Sequence, residues 1–240
     1  MADPAPARPW PASAGWRDRA GAALRSRWAA AVEILAIVAI TVGHRVFHVI
    51  PVDETLPIFV LGWLSLWLRG TGWRGIGLQR PAHVPRTVAV GVSAGILLQV
   101  LSEFVTEPAI RSLTREVADL SEFAPLVGNL RLAFLYFALV WTWAAFGEEL
   151  TYRGYVLNRV ADLGGRTAAA WVVGLVVVTG LFGFGHSYQG LAGVIDTAIH
   201  GLLLGVLYLA AGRNLWPCIV AHGACDTVGI VLIYLGHGPA

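Results

Sequence analysis

Charged residues are scarce in this chain. They make up 13% of the 240 residues, whereas hydrophobic residues make up 56%, and the mean hydropathy is +0.65. A soluble domain carries roughly a quarter charged residues, so this composition excludes an ordinary soluble globular protein. The net charge is only +2, and no basic run is interleaved with aromatic residues, which excludes nucleic acid as the expected partner. The expected partner is membrane lipid.

Cysteine is scarce as well, with two residues in the chain. Cys218 and Cys225 are seven residues apart on what we interpret as one helix, which separates them by about 10 Å along its axis, beyond the reach of a disulfide. No internal disulfide framework is expected. The first 28 residues also lack the apolar core and cleavage site of a signal peptide. We interpret residues 1–28 as a polar tail and residues 29–240 as a single transmembrane domain.

Long apolar runs dominate the rest of the chain. The segment between the third and fourth runs, residues 107–131, is polar and contains Pro108 and Pro125, which favours an amphipathic helix on the membrane surface. The second run is short for the roughly 20 residues that a span needs. The predicted fold is all-α, a polytopic transmembrane helical bundle of about seven spans plus a surface amphipathic helix. The runs are 29–50, 55–69, 84–106, 132–157, 167–186, 191–211 and 214–236.

Arginine placement predicts the orientation of this bundle. All 17 basic residues are arginine. If the tail is cytoplasmic, thirteen arginines fall on the inner segments and three on the outer segments. The positive-inside rule therefore favours a cytoplasmic N-terminus. We expect an integral membrane protein of a bacterial inner membrane.

Two adjacent carboxylates lie inside the fourth apolar run. A carboxylate at the centre of a span costs roughly 2.5 to 3.5 kcal/mol, so Glu148 and Glu149 form a functional-site hypothesis by default. Arg153 follows Glu149 by four residues, in the favourable order for a helical ion pair. On an α-helix Glu148 points about 100° away from Glu149 and has no local partner. An unpaired carboxylate of this kind suits a general base that takes a proton from water.

Two histidines lie on other spans, each beside glycine-rich backbone. Phe182 and His186 share a helix face at i, i+4, as do His222 and Asp226. Carboxylates and histidines on three separate segments are the residue types that activate water. With straight spans, however, Glu148 would lie just to the cytoplasmic side of the midplane, whereas His186 would end a helix on the outer side. A shared site requires that the fourth span tilts or that the fifth ends within the membrane.

Three motifs in this order resemble those of the CAAX-protease and bacteriocin-processing family of intramembrane endopeptidases, which includes the Ras-converting CAAX enzyme. The motifs are EELTYR (148–153), FGFGH (182–186) and HGACD (222–226). The resemblance covers roughly residues 60–230, with a protease-like core at about 132–230. Any one of the motifs alone would be a weak signal, whereas three in order are specific.

The resemblance implies a role for each motif. Glu148, together with His186, is expected to activate the attacking water, and His222 with Asp226 is expected to stabilise the oxyanion. The motifs also contain three residues to which we assign supporting roles: Glu149, Arg153 and Phe182. The implied activity is hydrolysis of a peptide bond in a membrane-associated peptide or protein.

Asp226 departs from the family pattern, because the best-studied members have Asn at this position. An ionised carboxylate repels an oxyanion, so Asp226 must be protonated, must orient His222, or must bind a metal. No cofactor is expected, and the alternative is zinc held by Glu148, His186, His222 and Asp226. Against zinc, none of the motifs is the His-Glu-x2-His helix of known zinc peptidases.

Other functions and residues stay open at this stage. A non-proteolytic membrane scaffold or bacteriocin-immunity protein of the same fold is the main alternative to a protease, and a proton-coupled transporter is a further one. Against a transporter, the chain is short and shows no two halves related by a repeat. Asp196 and His200 form an additional i, i+4 pair that we interpret as structural. The substrate, its prenylation and the oligomeric state are left open by the sequence.

Overall fold

The computed structural model describes residues 15–237 of the chain. No strand occurs in this range, and the architecture consists of eight main helices joined by short connections. Three short 3-10 helices lie in the connections, at Trp73–Ile76, Ser121–Leu126 and Ser187–Gln189. The helices are α1 (Trp16–Leu24), α2 (Arg27–Arg45), α3 (Thr55–Leu68), α4 (Val84–Thr114), α5 (Leu130–Leu163), α6 (Ala168–Gly185), α7 (Gly190–Ala210) and α8 (Trp216–Tyr234).

Six of these helices are long and apolar enough to cross a membrane, namely α2 and α4 to α8, and α3 is a shorter apolar helix. At 1.5 Å per residue the 14 residues of α3 span about 21 Å, which is less than the roughly 30 Å of a hydrocarbon core. The all-α fold class and the polytopic helical bundle predicted from the sequence are confirmed. The chain is an integral membrane protein.

The expected polar tail is only partly described, because residues 1–14 lie outside the described range. The described part of the tail contains helix α1. Helix α1 packs against the end of α3, where Arg17 donates two hydrogen bonds to the carbonyl of Trp67, at 3.3 and 2.7 Å. Gly21 lies so close to the backbone of α3 that an added Cβ would come within 2.6 Å of the Leu68 carbonyl oxygen. Helix α1 therefore forms part of the bundle.

The segment after the third span also differs from expectation. Instead of a separate surface helix, α4 continues through a π-helical turn at Ser102–Thr106 into Glu107–Thr114. The helix ends at Arg115, which adopts a left-handed conformation with φ of 63°. Pro108 would remove a backbone donor from the middle of a helix, but the π turn places it in the first turn of a new α-helical segment, where no donor is needed.

Glycines allow the closest helix pairs to form. Gly91 and Gly95 lie one turn apart on α4 and face α8, where an added Cβ at Gly95 would come within 2.8 Å of the Ala224 Cβ. On α6, Gly183 faces α7 at Ala198 in the same way. Small residues at helix interfaces let backbones approach closely, which is the main source of packing energy between helices in lipid.

The pairing of α5 with α6 resolves the difference in depth expected between Glu148 and His186. The two helices are antiparallel neighbours joined by the short connection at 164–167. Measured from that connection, Glu148 lies fifteen residues back along α5 and His186 directly follows the 18 residues of α6. Because these two counts are similar, the two residues lie at similar distances from the connection and can reach a shared site.

We predict that Gly95→Ala lowers the stability of the bundle, whereas Gly180→Ala does not. The added methyl group at Gly95 meets α8, and overpacking of this kind costs about 1 to 3 kcal/mol. No atom lies within 4 Å of an added Cβ at Gly180, so the second variant is the matched control. Thermal unfolding in detergent measures both, and an equal effect in the two variants would contradict the proposed α4 to α8 contact.

Candidate active site

The two adjacent glutamates lie in a π-helical part of α5, Val140–Val156. Wider turns of this kind occur often at functional sites. The hydroxyls of Thr142 and Thr151 donate to the carbonyls of Ala138 and Gly147, four residues earlier. Side-chain bonds to these carbonyls compete with the backbone N–H groups that an α-helix would supply. The local sequence thus favours the departure from regular α-helical hydrogen bonding around the acidic pair.

Glu149 points into the protein and is fully buried. Its Oε1 accepts a hydrogen bond from Arg153 Nη1 at 2.7 Å and another from His222 Nδ1 at 2.8 Å. Arg153 is also fully buried, and its Nη2 donates to the carbonyl of Gly201 at 3.1 Å. This chain of contacts joins α5, α7 and α8. The predicted Glu149 to Arg153 pair is present, and its extension to His222 connects two of the three motifs.

The contact with Glu149 fixes the tautomer of His222. A carboxylate can only accept, so His222 Nδ1 carries the hydrogen and Nε2 is directed toward the other acids. His222 Nε2 lies 4.0 Å from Glu148 Oε2 and 3.4 Å from Asp226 Oδ2. Orientation of His222 was one of the three roles that the sequence left open for Asp226. In the structure Glu149 makes the shorter contact with the ring, and Asp226 lies near the opposite nitrogen.

His186 directly follows the last residue of α6. Its Nδ1 lies 2.9 Å from the carbonyl oxygen of Phe182. Because a carbonyl oxygen can only accept, Nδ1 is the donor, and Nε2 of the neutral ring is free to accept a hydrogen bond from water. The ring also packs between two aromatic side chains, with centroid distances of 4.9 Å to Phe182 and 6.0 Å to Tyr188.

Phe182 packs at the centre of this group of side chains. The guanidinium of Arg153 lies 4.4 Å from the centre of its ring, a distance typical of a cation–π contact. The Tyr152 ring meets it edge-on at 5.2 Å, and the His222 ring lies 6.1 Å away. Phe182 therefore packs against both the guanidinium of Arg153 and the rings of the two histidines, and this packing helps to hold the rings in place.

One cavity of about 380 Å³ brings the predicted residues of the three motifs together. Glu148, His186, His222 and Asp226 all line it, whereas Glu149 and Arg153 lie behind its wall. The Glu148 side chain is 15% exposed, and its Oε2 has no hydrogen-bond partner among the described residues. The adjacent acids thus have different surroundings, as their positions in the helix predicted.

Asp196 and His200 line the same cavity. Asp196 accepts hydrogen bonds from the hydroxyls of Ser102, at 3.0 Å, and Thr106, at 2.6 Å. His200 Nδ1 lies 3.3 Å from an Asp196 oxygen. The pair expected on one helix is present, and it also ties α7 to the π-helical turn of α4. Its carboxylate is already satisfied, which separates it from the unpartnered Glu148.

Sequence reasoning missed the support of the His186 end of α6. Glu54, at the start of α3, lies against Gly185, where an added Cβ would come within 2.7 Å of Glu54 Oε1. Arg45 pairs with Glu54 at 2.8 Å and also lies over the ring of Tyr188, 5.4 Å from its centre. The signal in the sequence was Arg45 itself, a charged residue close to the end of the first apolar run.

The alternative zinc set does not form a compact ligand group. Among the described residues, the group of such side chains whose ligand atoms lie within 4.8 Å of one another is His44, Asp53 and Glu54. Arg45 already contacts both of those carboxylates. Tetrahedral zinc needs ligand atoms about 2.0 to 2.3 Å from the metal, which the arrangement of Glu148, His186, His222 and Asp226 does not provide. Hydrolysis without a metal remains a prediction.

We predict that Glu149→Gln destabilises the protein and that Glu148→Gln does not. Removing one partner of a buried ion pair leaves the other charge uncompensated, which costs about 3 to 5 kcal/mol. Glu148 has no contact of this kind and supplies the matched control. Thermal unfolding of both variants in detergent is the measurement, and a loss in Glu148→Gln as large as that in Glu149→Gln would contradict the division between the two acids.

Comparison with known proteins agrees with this geometry. A protein-family model described as type II CAAX prenyl endopeptidase Rce1-like matches residues 130–228. Comparisons with curated proteins and with solved structures gave no match. The matched residues begin with α5 and end just after Asp226, so they include all three motifs. The match agrees with the resemblance seen in the sequence: residues 130–228 are similar to the Rce1-like family of type II CAAX prenyl endopeptidases, which supports a CAAX-protease-like peptidase in general.

Proposed function

We propose that this protein is an intramembrane endopeptidase that hydrolyses a peptide bond of a membrane-associated peptide or protein. The observation that carries the proposal is that Glu148 lines the same cavity as His186 and has an Oε2 without a hydrogen-bond partner among the described residues. Glu149 Oε2 also lacks a partner, but Glu149 does not line the cavity. A carboxylate with a free oxygen and an imidazole with a free Nε2 are the groups that can orient a water and accept its proton.

In the proposed reaction Glu148 and His186 hold the attacking water. Glu148 accepts a proton from it as the oxygen attacks the carbonyl carbon of the scissile bond, which forms a tetrahedral oxyanion. The carbon–nitrogen bond then breaks, and the proton held by Glu148 passes to the leaving nitrogen. Proton transfer by a positioned side chain contributes about 10² to 10⁴ in rate, and exclusion of bulk water from the cavity strengthens the electrostatic effects.

We assign His222 to the oxyanion. Glu149 holds Nδ1, so in the protonated ring Nε2 donates toward the cavity, where a negative charge develops during attack. Asp226 lies 3.4 Å from the same nitrogen, and its proposed role is to adjust this donor rather than to contact the oxyanion as a free anion.

The orientation in the membrane and hydrolysis without a metal are both part of the proposal. The arginine distribution supports an N-terminus in the cytoplasm of a bacterial inner membrane. The absence of a compact ligand group in the cavity supports hydrolysis without zinc. The substrate reaches the cavity from the lipid or from the membrane surface, and the proposal does not require that it is prenylated.

We predict that Glu148→Gln abolishes hydrolysis while the protein remains folded. The amide keeps the shape of the carboxylate but cannot take a proton from water. Bacterial membranes that contain the parent protein should show new peptide termini in quantitative mass spectrometry, and membranes that contain Glu148→Gln should not. Once a cleaved peptide is identified, the purified proteins can be compared on it directly, with an expected loss of at least about 10³-fold in kcat/KM.

The control for this comparison is Glu103→Gln. Glu103 is another carboxylate of an apolar span, but it does not line the cavity. Its Oε1 accepts a hydrogen bond from Gln99 Nε2 at 3.0 Å. This variant should produce the same peptides as the parent. Equal cleavage by the parent and Glu148→Gln would refute the protease assignment and would favour the scaffold or immunity alternative.

We also predict that Asp226→Asn keeps much of the activity and that Asp226→Ala keeps less. Glu149 orients His222 in both variants, but only the amide retains a polar group beside Nε2, and it can donate to the oxyanion. The measurement is kcat/KM as a function of pH for the parent and the two variants. Zinc content, determined by elemental analysis of the same samples, is compared with activity after exhaustive chelation.

Two results would overturn the assignment of Asp226. If Asn is as damaging as Ala, the negative charge itself is required. If one equivalent of zinc is present, and its removal ends activity while its return restores activity, the four cavity residues would instead act as metal ligands. Hydrolysis that survives chelation, together with an active Asp226→Asn variant, supports the reaction without a metal.

A further inference from the structure

A second and larger concavity lies away from the cavity of the three motifs. It is a groove of about 890 Å³ between the start of α4, the start of α8 and the connection that follows α3. None of the motif residues lines it. It lies where two apolar helices begin, which is the level of a bilayer at which hydrocarbon gives way to headgroups.

The walls of the groove are apolar and run along the helices. Leu78 lies on the connection, Val84 and Val88 lie one turn apart on α4, and Trp216 and Val220 lie one turn apart on α8. Both valines of α4 are exposed, so the groove opens toward the surroundings of the bundle. Its shape suits an extended apolar chain that lies parallel to the helices.

The polar end of the groove is positively charged. Arg74 and Arg80 line it, and no carboxylate does. Both arginines are exposed, and neither forms an ion pair with a described residue. Helix α4 begins at Val84 beside them without a side-chain cap, so the partial positive charge of its first turn adds to that of the arginines.

The connection that carries the two arginines is held in place by several hydrogen bonds. The Leu215 N–H donates to the carbonyl of Gly77 at 3.0 Å, and the Tyr208 hydroxyl donates to the carbonyl of Ile76 at 2.8 Å. Gly77 has a φ of 112° and lies against Arg213, a position where a side chain would be strained. The groove is therefore preformed, which lowers the entropy cost of binding.

We propose that this groove binds an anionic phospholipid. The phosphate group is placed at Arg74 and Arg80, and an acyl chain lies against the apolar wall formed by α4 and α8. Charge complementarity selects an anionic headgroup over a zwitterionic one, because the groove supplies two cations and no anion to match a choline. Basic pockets between membrane helices bind anionic headgroups by this combination of contacts.

The test uses the purified full-length protein in a neutral detergent. It is titrated with phosphatidylglycerol or with phosphatidylcholine of the same acyl chains, and native mass spectrometry counts the bound lipid. The parent should retain phosphatidylglycerol preferentially. Each of Arg74→Gln and Arg80→Gln should weaken that binding about fivefold, which corresponds to about 1 kcal/mol for each arginine near the headgroup.

Arg86→Gln is the matched control, since Arg86 is exposed in the first turn of α4 but does not line the groove. It should bind phosphatidylglycerol as the parent does, and Arg74→Lys should keep most of the preference because the charge remains. Equal retention of the two lipids by the parent would overturn the proposal, as would an unchanged preference in the Arg74→Gln, Arg80→Gln double variant. Thermal unfolding without added lipid verifies that the variants are folded.

Discussion

The geometry of the site depends on one buried carboxylate. Glu149 receives Arg153 from its own helix and His222 from α8 on the same oxygen atom, and Arg153 continues the chain of contacts to the backbone of α7. In hydrocarbon an isolated charge would be very costly, so each member of the chain requires the others. The helices that carry the motifs are therefore held in one register by the same atoms that orient the imidazole.

The adjacent position has the opposite character. Glu148 shares a helical turn with Glu149, yet it lines the cavity, and its unpartnered Oε2 lies 4.0 Å from His222 Nε2. Neighbouring acids in unlike surroundings take unlike roles, one as a fixed structural anion and one as a group that exchanges protons. The π-helical segment is consistent with this division, because such segments recur where side chains must be directed to a site.

The all-α class and the positions of the apolar helices followed from the sequence, because length and hydropathy decide which segments can cross a bilayer. Local contacts followed as well: the period of a helix predicts that Glu149 meets Arg153 and that His222 lies near Asp226. The contact between Glu149 and His222 did not follow, since it joins residues 73 positions apart. No periodic pattern within one helix identifies a partner on another helix.

Local sequence signals also did not predict the helix boundaries correctly. Pro108 indicated a new surface helix, whereas a π-helical turn allows α4 to continue past it. The depth of His186 depends on where α6 ends relative to α5. The positions of Glu148 and His186 along these two helices can be compared only when the helices are known to be antiparallel neighbours. Hydropathy locates each span separately and does not show which spans are neighbours.

Burial of three charged or polar groups is not an efficient way to stabilise a helical bundle. Replacing a buried ion pair with apolar side chains of similar volume is often neutral or stabilising, so stability alone does not explain Glu149, Arg153 and His222. What apolar residues could not provide is a defined tautomer of His222, with Nδ1 committed to Glu149 and Nε2 directed to the cavity. We infer that the ion pair is present for orientation, and that its energetic cost is offset by the close packing that glycines permit elsewhere in the bundle.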